Sequence, residues 1–145
     1  SLSESIIIRT SWLYSSYGKN FVNTIIKKAK IDNEINVIND QYGCPTYAKD
    51  LAEDTMKILT SNLQLNFDGK IYNYSNLGFT NWSEFAREII KISNLNCIIK
   101  EVSSDFLKDT VKRPMYSITD KNKIISNFKL DIPYWKESLR NYLNK

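Results

Sequence analysis

The feature that most constrains this chain is the run Ile6-Ile7-Ile8 inside Ser5–Thr10. Consecutive β-branched residues favour extended backbone, and a run without polar alternation fits a strand buried on both faces, as in a parallel sheet. The chain is therefore expected to begin inside a sheet. Helical patterns follow: between Lys19 and Ile31, the apolar residues Phe21, Val22, Ile25, Ile26 and Ala29 recur at helical spacing.

The remaining elements alternate in the same way. Ile35 to Ile38 reads as a strand and Gly43-Cys44-Pro45-Thr46 as a turn, with Thr46 as N-cap of a second helix carrying Ala48, Leu51, Ala52, Thr55, Ile58 and Leu59 on one face. Asn62 to Gly69 reads as loop and Lys70 to Tyr74 as a strand broken by Ser75-Asn76-Leu77-Gly78. Asn81 with Glu84 three residues on resembles a capping box, opening a helix whose stripe is Trp82, Phe85, Ala86, Ile89 and Ile90. Cys97 to Val102 reads as another strand, and Phe106 to Tyr116 as an ordered loop, since it carries apolar residues a solvated linker would not need. Asp120 to Phe128 suits a short helix, and Pro133 suits the first residue of a last helix running through Trp135, Leu139 and Leu143. Strands alternating with helices predict the α/β class. At 145 residues, one compact domain over 1–145 is expected.

The chemistry that is missing narrows function. With no His in the sequence, Ser-His and Cys-His nucleophile pairs and the commonest metal ligand are excluded. Gly18, Gly43, Gly69 and Gly78 are too dispersed for the glycine turn that cradles a pyrophosphate, so no NAD(P) is expected to bind these residues alone. None of the nine Tyr has a Lys four positions later. Asp32 with Glu34, and Glu53 with Asp54, read as surface charge, and no metal site is evident. Cys44 and Cys97 lack CxxC spacing and read as reduced thiols of a cytoplasmic protein. The formal charge of +4 is spread along the chain, which argues against nucleic acid and suits a small acidic ligand such as a sugar diphosphate. No apolar run is long enough to span a bilayer, and Ser1–Ser5 lacks the basic start of a signal peptide, so no membrane association is expected.

Particular segments carry a resemblance. Arg9-Thr10-Ser11-Trp12-Leu13-Tyr14 with Gly18-Lys19-Asn20-Phe21-Val22, then Asp40-Gln41-Tyr42-Gly43-Cys44-Pro45-Thr46 and Asp50-Leu51-Ala52, are similar to the RTSWxY, GxNFV and DQxGxPT motifs of dTDP-4-dehydrorhamnose reductases. Gly78 to Ala86, Lys112-Arg113-Pro114 to Ser117, and Pro133-Tyr134-Trp135 continue it in the same order over nearly the whole chain. The resemblance implies the C-terminal, substrate-binding part of an extended short-chain dehydrogenase of Rossmann type, without the N-terminal dinucleotide-binding half. It implies reduction of the C4 ketone of dTDP-4-dehydro-L-rhamnose by NADPH or NADH in the full-length protein, with the catalytic Tyr-x-x-x-Lys upstream of Ser1; Mg2+ stays open.

Carried over by motif, Trp12 is the first substrate-binding candidate, either covering a sugar face or completing a core. Thr10 and Ser11 would line the approach to nicotinamide and sugar, or close the strand end by hydrogen bonding. Arg113 would grip the diphosphate, its alternative being a salt bridge. Asn20 would reach the ligand or cap the first helix, and Gln41, with Gly43, Pro45 and Thr46, would form a wall of the nucleotide pocket, although turn geometry and helix capping explain the last three without a ligand. Tyr14 and Tyr17 suit packing or binding alike, while Trp82, Phe85 and Trp135 read as core. A homo-oligomer is expected, because an edge such as Ser5–Thr10, left without its Rossmann neighbour, invites association. A non-catalytic relative, like the regulatory subunit of methionine adenosyltransferase, and an epimerase or dehydratase of another nucleotide sugar are the alternative readings.

Overall fold

A computed structural model of the chain describes residues 5–61, 71–107 and 113–144. The loop expected at Asn62–Gly69, the strand start at Lys70, Lys112 of the Lys-Arg-Pro motif and residues 108–112 of the expected ordered loop lie outside the described residues.

Strand pairing is almost wholly parallel, as an α/β chain requires. β1 (Ile7–Arg9) pairs in parallel with β6 (Ile71–Asn73), β2 (Leu13–Tyr14) with β5 (Thr46–Tyr47), and β3 (Glu34–Ile38) with β8 (Ile98–Val102). A three-stranded sheet places β4 (Tyr42–Gly43) between β7 (Thr80–Asn81), antiparallel to it, and β9 (Tyr116–Ser117), parallel to it. Between strands lie α1 (Phe21–Ala29), α2 (Ala48–Thr60) and α3 (Trp82–Ile92), and α4 (Asn122–Phe128) and α5 (Trp135–Leu143) follow β9. A 3-10 turn at Ser104–Leu107 opens the segment expected to be an ordered loop.

The expectation of two buried faces for Ser5–Thr10 is corrected. Ile8 and Tyr72 turn inward onto a cluster of Ile58, Tyr74, Ile124, Leu130 and Ile132. Ile7 and Ile71, side by side in register, face outward, with Ile7 52% exposed. No described element covers that face, so the β-branched run is half buried here.

The larger core joins α1, α3 and α5 through Val22, Ile25, Phe85, Ala86, Ile89, Trp135 and Leu139, with Tyr14 and Tyr47 from the β2–β5 pair. The apolar spacing of α1 and α3 is reproduced in this packing. Asn81 caps α3 as expected, its Oδ1 accepting from Glu84 N–H at 2.8 Å, although Glu84 returns no bond to Asn81 and instead accepts from Thr80 Oγ1. Pro133 is not the first helical residue. It stands two positions ahead of α5, and its carbonyl accepts from Leu77 N–H, tying that segment to the end of β6.

α2 departs most from its sequence pattern. Thr46 belongs to β5, and the cap position falls to Tyr47, whose N–H donates to Asn76 Oδ1 at 2.8 Å. The helix buries Asp54 and Ile58 and leaves Leu59 exposed, because Asp54, expected on the surface, is 3% exposed and accepts from Tyr74 Oη at 2.8 Å and Lys57 Nζ at 2.6 Å. Burial, reinforced by that hydrogen bond, pushes the Tyr74 phenol far above its ordinary ionisation range. Asn76 is fully buried and also donates through Nδ2 to Asp50 Oδ2 at 2.6 Å, Ser138 Oγ at 2.8 Å and the Pro133 carbonyl at 3.3 Å. One amide thus joins α2, the end of β6 and α5.

Tyr14 stacks on Tyr47 with ring centroids 5.5 Å apart, and its buried hydroxyl has no hydrogen-bond partner among the described residues. Burial, and after it the Asp50 carboxylate, raises its ionisation far above the ordinary value of 10.0. A folded-state value raised above the unfolded one gives stability that is present below about pH 10 and lost as pH rises. Tyr14→Phe keeps the packing and removes an unsatisfied group, so at neutral pH it is expected to match or exceed the parent, by up to about 1 kcal/mol. Its decline above about pH 10 should be shallower. Thermal unfolding at both pH values checks this; a lower midpoint at neutral pH would mean the hydroxyl is needed.

Candidate functional site

Thr10, Ser11 and Trp12 lie between β1 and β2, where the chain leaves the end of one parallel pair and enters another. Their neighbours come from the segment 43–46. Ser11 Oγ donates to the Cys44 carbonyl at 2.9 Å, and Thr46 Oγ1 donates to the Ser11 carbonyl at 2.7 Å while accepting from Thr10 Oγ1 at 3.1 Å. Thr46 N–H reaches the Trp12 carbonyl at 3.2 Å. The hydroxyl protons of Thr10 and Ser11 are therefore spent on the protein, and what they keep for a ligand is acceptor capacity.

Trp12 is half-buried and takes the left-handed backbone conformation at φ 46. Its indole lies flat against Trp82, centroids 3.5 Å apart and planes 9° apart. Trp82, expected in the core, is only half-buried and belongs with this aromatic pair; Phe21 stands 4.5 Å from it. On the other side, a Cβ built on Gly43 would fall 2.6 Å from Trp12 Nε1 and 2.7 Å from Ser117 Oγ. Gly43 is thus demanded by the close approach of the indole, a reason beyond turn geometry.

Ser117 arrives through β9, its Oγ donating to the Tyr42 carbonyl at 3.1 Å. Tyr42 N–H donates to the Met115 carbonyl at 2.7 Å, which fixes the strand just after Arg113-Pro114. Arg113 is exposed, and among the described residues no carboxylate pairs with it. Lys121, just past β9, places Nζ 3.6 Å from Cys44 Sγ, a weak acceptor for an ammonium. Three segments far apart in sequence, 10–12, 42–46 and 115–121, are brought together in this way.

The other candidates stand differently. Asn20 caps α1: Oδ1 accepts from Asn23 N–H at 3.0 Å and Nδ2 donates to the Ser15 carbonyl at 2.7 Å. Gln41 is buried between β3 and β4. Tyr14 is core and Tyr17 is 88% exposed. Sequence reasoning missed Trp82 and Lys121; Trp82 was masked by its helical spacing, and Lys121 carries no local signal. Among the described residues no group of three His, Cys, Asp or Glu is placed to hold a metal, and no helix is long and apolar enough to cross a membrane.

Known proteins resemble the chain in sequence and in fold. Relatives include the spore coat polysaccharide biosynthesis protein SpsK of Bacillus subtilis (strain 168), 38% identical over 98% of this chain and 48% of its own length. The dTDP-4-dehydrorhamnose reductase of Sinorhizobium fredii is 33% identical over 92% of this chain and 47% of its own length. In three dimensions the chain is similar to the crystal structure of dTDP-4-dehydrorhamnose reductase from Bacillus anthracis str. Ames in complex with NADP, with a TM-score of 0.88 and 37% identity over 96% of this chain and 48% of that one. The chain spans about half the length of the curated relatives it matches. The family model for the RmlD substrate binding domain matches residues 1–145 from end to end, and the chain belongs to that family.

Proposed function

We propose that residues 1–145 form one sugar-nucleotide-binding unit of a dTDP-4-dehydrorhamnose reductase, which reduces the C4 ketone of dTDP-4-dehydro-L-rhamnose with NAD(P)H in a cytoplasmic pathway to polysaccharide precursors. The observation that carries the reading is the convergence of the RTSW, QYGCPT and RPxxS segments on the Trp12 indole. In this reading the exposed part of Trp12 meets the sugar, Thr10 and Ser11 accept hydrogen bonds from its hydroxyls, and exposed Arg113 supplies the cation for the diphosphate, with its planar fork suited to two phosphate oxygens. Gln41 lines the nucleotide side through its neighbours Tyr42 and Gly43. Asn20 contributes indirectly, by holding the start of α1, since both polar atoms of its side chain are engaged.

The hydride donor would be a nicotinamide cofactor. The dispersed glycines of this chain do not form a dinucleotide cradle, so we assign the cofactor to the part of the reductase that this chain does not span. What these residues contribute is binding and orientation of the ketone substrate. The same division implies a homo-oligomer or a partner half over the open β1–β6 face.

Calorimetric titration with a dTDP-sugar, against dTDP alone and Trp12→Ala, tests the proposal. Binding by the parent that weakens by about tenfold or more in Trp12→Ala is expected. Equal affinity in both proteins would remove Trp12 from the site, and no binding by the parent would count against a self-sufficient sugar-nucleotide unit.

A further inference from the structure

A bulky residue at positive φ is an uncommon, costly conformation, and such outliers persist only where their surroundings over-determine them. For Trp12, at φ 46, the surroundings can be named. Thr46 N–H holds its carbonyl, Gly43 leaves room at the indole nitrogen, and Trp82 covers the ring. Trp82 is itself a firm support. It is the first residue of α3, directly after the Asn81 cap; Phe21 stands beside its ring, and its helix is anchored in the core by Phe85, Ala86 and Ile89.

We infer that Trp82 is a positioning residue: by stacking it fixes the Trp12 indole in the orientation the sugar-nucleotide site uses, without itself touching the ligand. The inference rests on the dTDP-sugar reading of that site. Free of its stacking partner, an indole left with Gly43 at its edge and Phe85 6.4 Å away would occupy more than one rotamer, and ordering it again would subtract from ligand affinity. The stack removes that cost in advance, so its contribution appears in binding as well as in stability. Phenylalanine can offer the same flat surface, whereas leucine or alanine cannot.

The chain has three Trp, so 5-fluorotryptophan labelling gives a small set of fluorine resonances, with Trp12 assigned by its absence in Trp12→Phe and Trp135 reporting on the core. In the parent, stacked indoles should give an exciton couplet in the far-ultraviolet dichroism that is lost in Trp12→Phe and in Trp82→Phe. The Trp12 resonance should stay narrow and displaced in Trp82→Phe, and broaden or move toward its solvent position in Trp82→Ala, with the Trp135 resonance unchanged. Affinity for a dTDP-sugar should fall by about tenfold in Trp82→Ala and recover to within about threefold in Trp82→Phe. Should Trp82→Ala not fold, Trp82→Leu, which fills the volume without a ring face, replaces it. A Trp12 resonance and an affinity unchanged by loss of the ring would overturn the positioning role while leaving the binding reading intact. A parent that binds no dTDP-sugar overturns both, whatever the couplet shows.

Discussion

Gly43→Ala is expected to damage the site more than any other one-atom change in the chain. The added methyl would fall within van der Waals distance of Trp12 Nε1 and Cε2 and of Ser117 Oγ at once. Ser117 can rotate its hydroxyl away, giving up its bond to the Tyr42 carbonyl. The indole cannot retreat as easily, because Trp82 lies 3.5 Å behind it. Overpacking against a clamped ring costs about 1–3 kcal/mol, and the upper part of that range fits a site where the serine can yield but the ring cannot. The cost is also paid where ligand is expected to bind, so affinity for a dTDP-sugar should fall by more than about tenfold even in protein that remains folded. Urea unfolding measures the first effect and calorimetric titration the second. A folded Gly43→Ala protein with parental affinity would show that the indole edge is not part of the binding surface.

Asn76→Ala should be the most destabilising polar substitution in the chain. The side chain is fully buried and its amide satisfies four groups: Tyr47 N–H at the head of α2, Asp50 on the same helix, the Pro133 carbonyl and Ser138 of α5. Truncation leaves the Tyr47 amide without its acceptor, and Asp50 then relies on Ser138 Oγ at 2.5 Å. An unsatisfied buried donor costs about 1–3 kcal/mol, and weakening a charge-assisted bond adds to it, so a loss of about 3–4 kcal/mol is expected. Asn76→Asp should do no better: it keeps an acceptor for Tyr47 but sets a second carboxylate against Asp50. The denaturation midpoint should drop without a change of slope, and a loss below about 1 kcal/mol would mean that water takes over the network.

These two positions also show what the sequence could reveal. The helices α1 and α3 were legible because their stripes at Val22, Ile25, Phe85 and Ile89 are satisfied locally by one apolar face, and Asn81 caps by bonding three residues ahead. α2 was misread because its buried face is centred on a carboxylate, and nothing near Asp54 in sequence announces Tyr74. Thr46 looked like a cap for the same reason it pairs with Thr10 and Ser11: a short side chain with a hydroxyl suits both tasks, and only the parallel pairing of β2 with β5 decides between them. The candidate site was visible through its motifs, but the support for Trp12 was not. Trp82 obeys the helical spacing of a core residue and is diverted to the indole by a contact across 70 positions of chain, 82 − 12. Gly43 could be read as a turn glycine until the ring beside it was located.

The pairing order has a kinetic consequence. The ring of contacts around Trp12 closes only when β9 docks on β4, and the bond that marks this closure, Ser117 to Tyr42, joins residues 75 positions apart. Parallel pairings of such separation pay their loop-closure entropy before any contact rewards it, which makes them late and slow steps. During synthesis Trp12 therefore leaves the ribosome long before the residues that orient it, and it waits on an incomplete scaffold. Ligand capture should accordingly be the last property a refolding chain regains, lagging the helical signal, and it can serve as a stringent clock for native assembly.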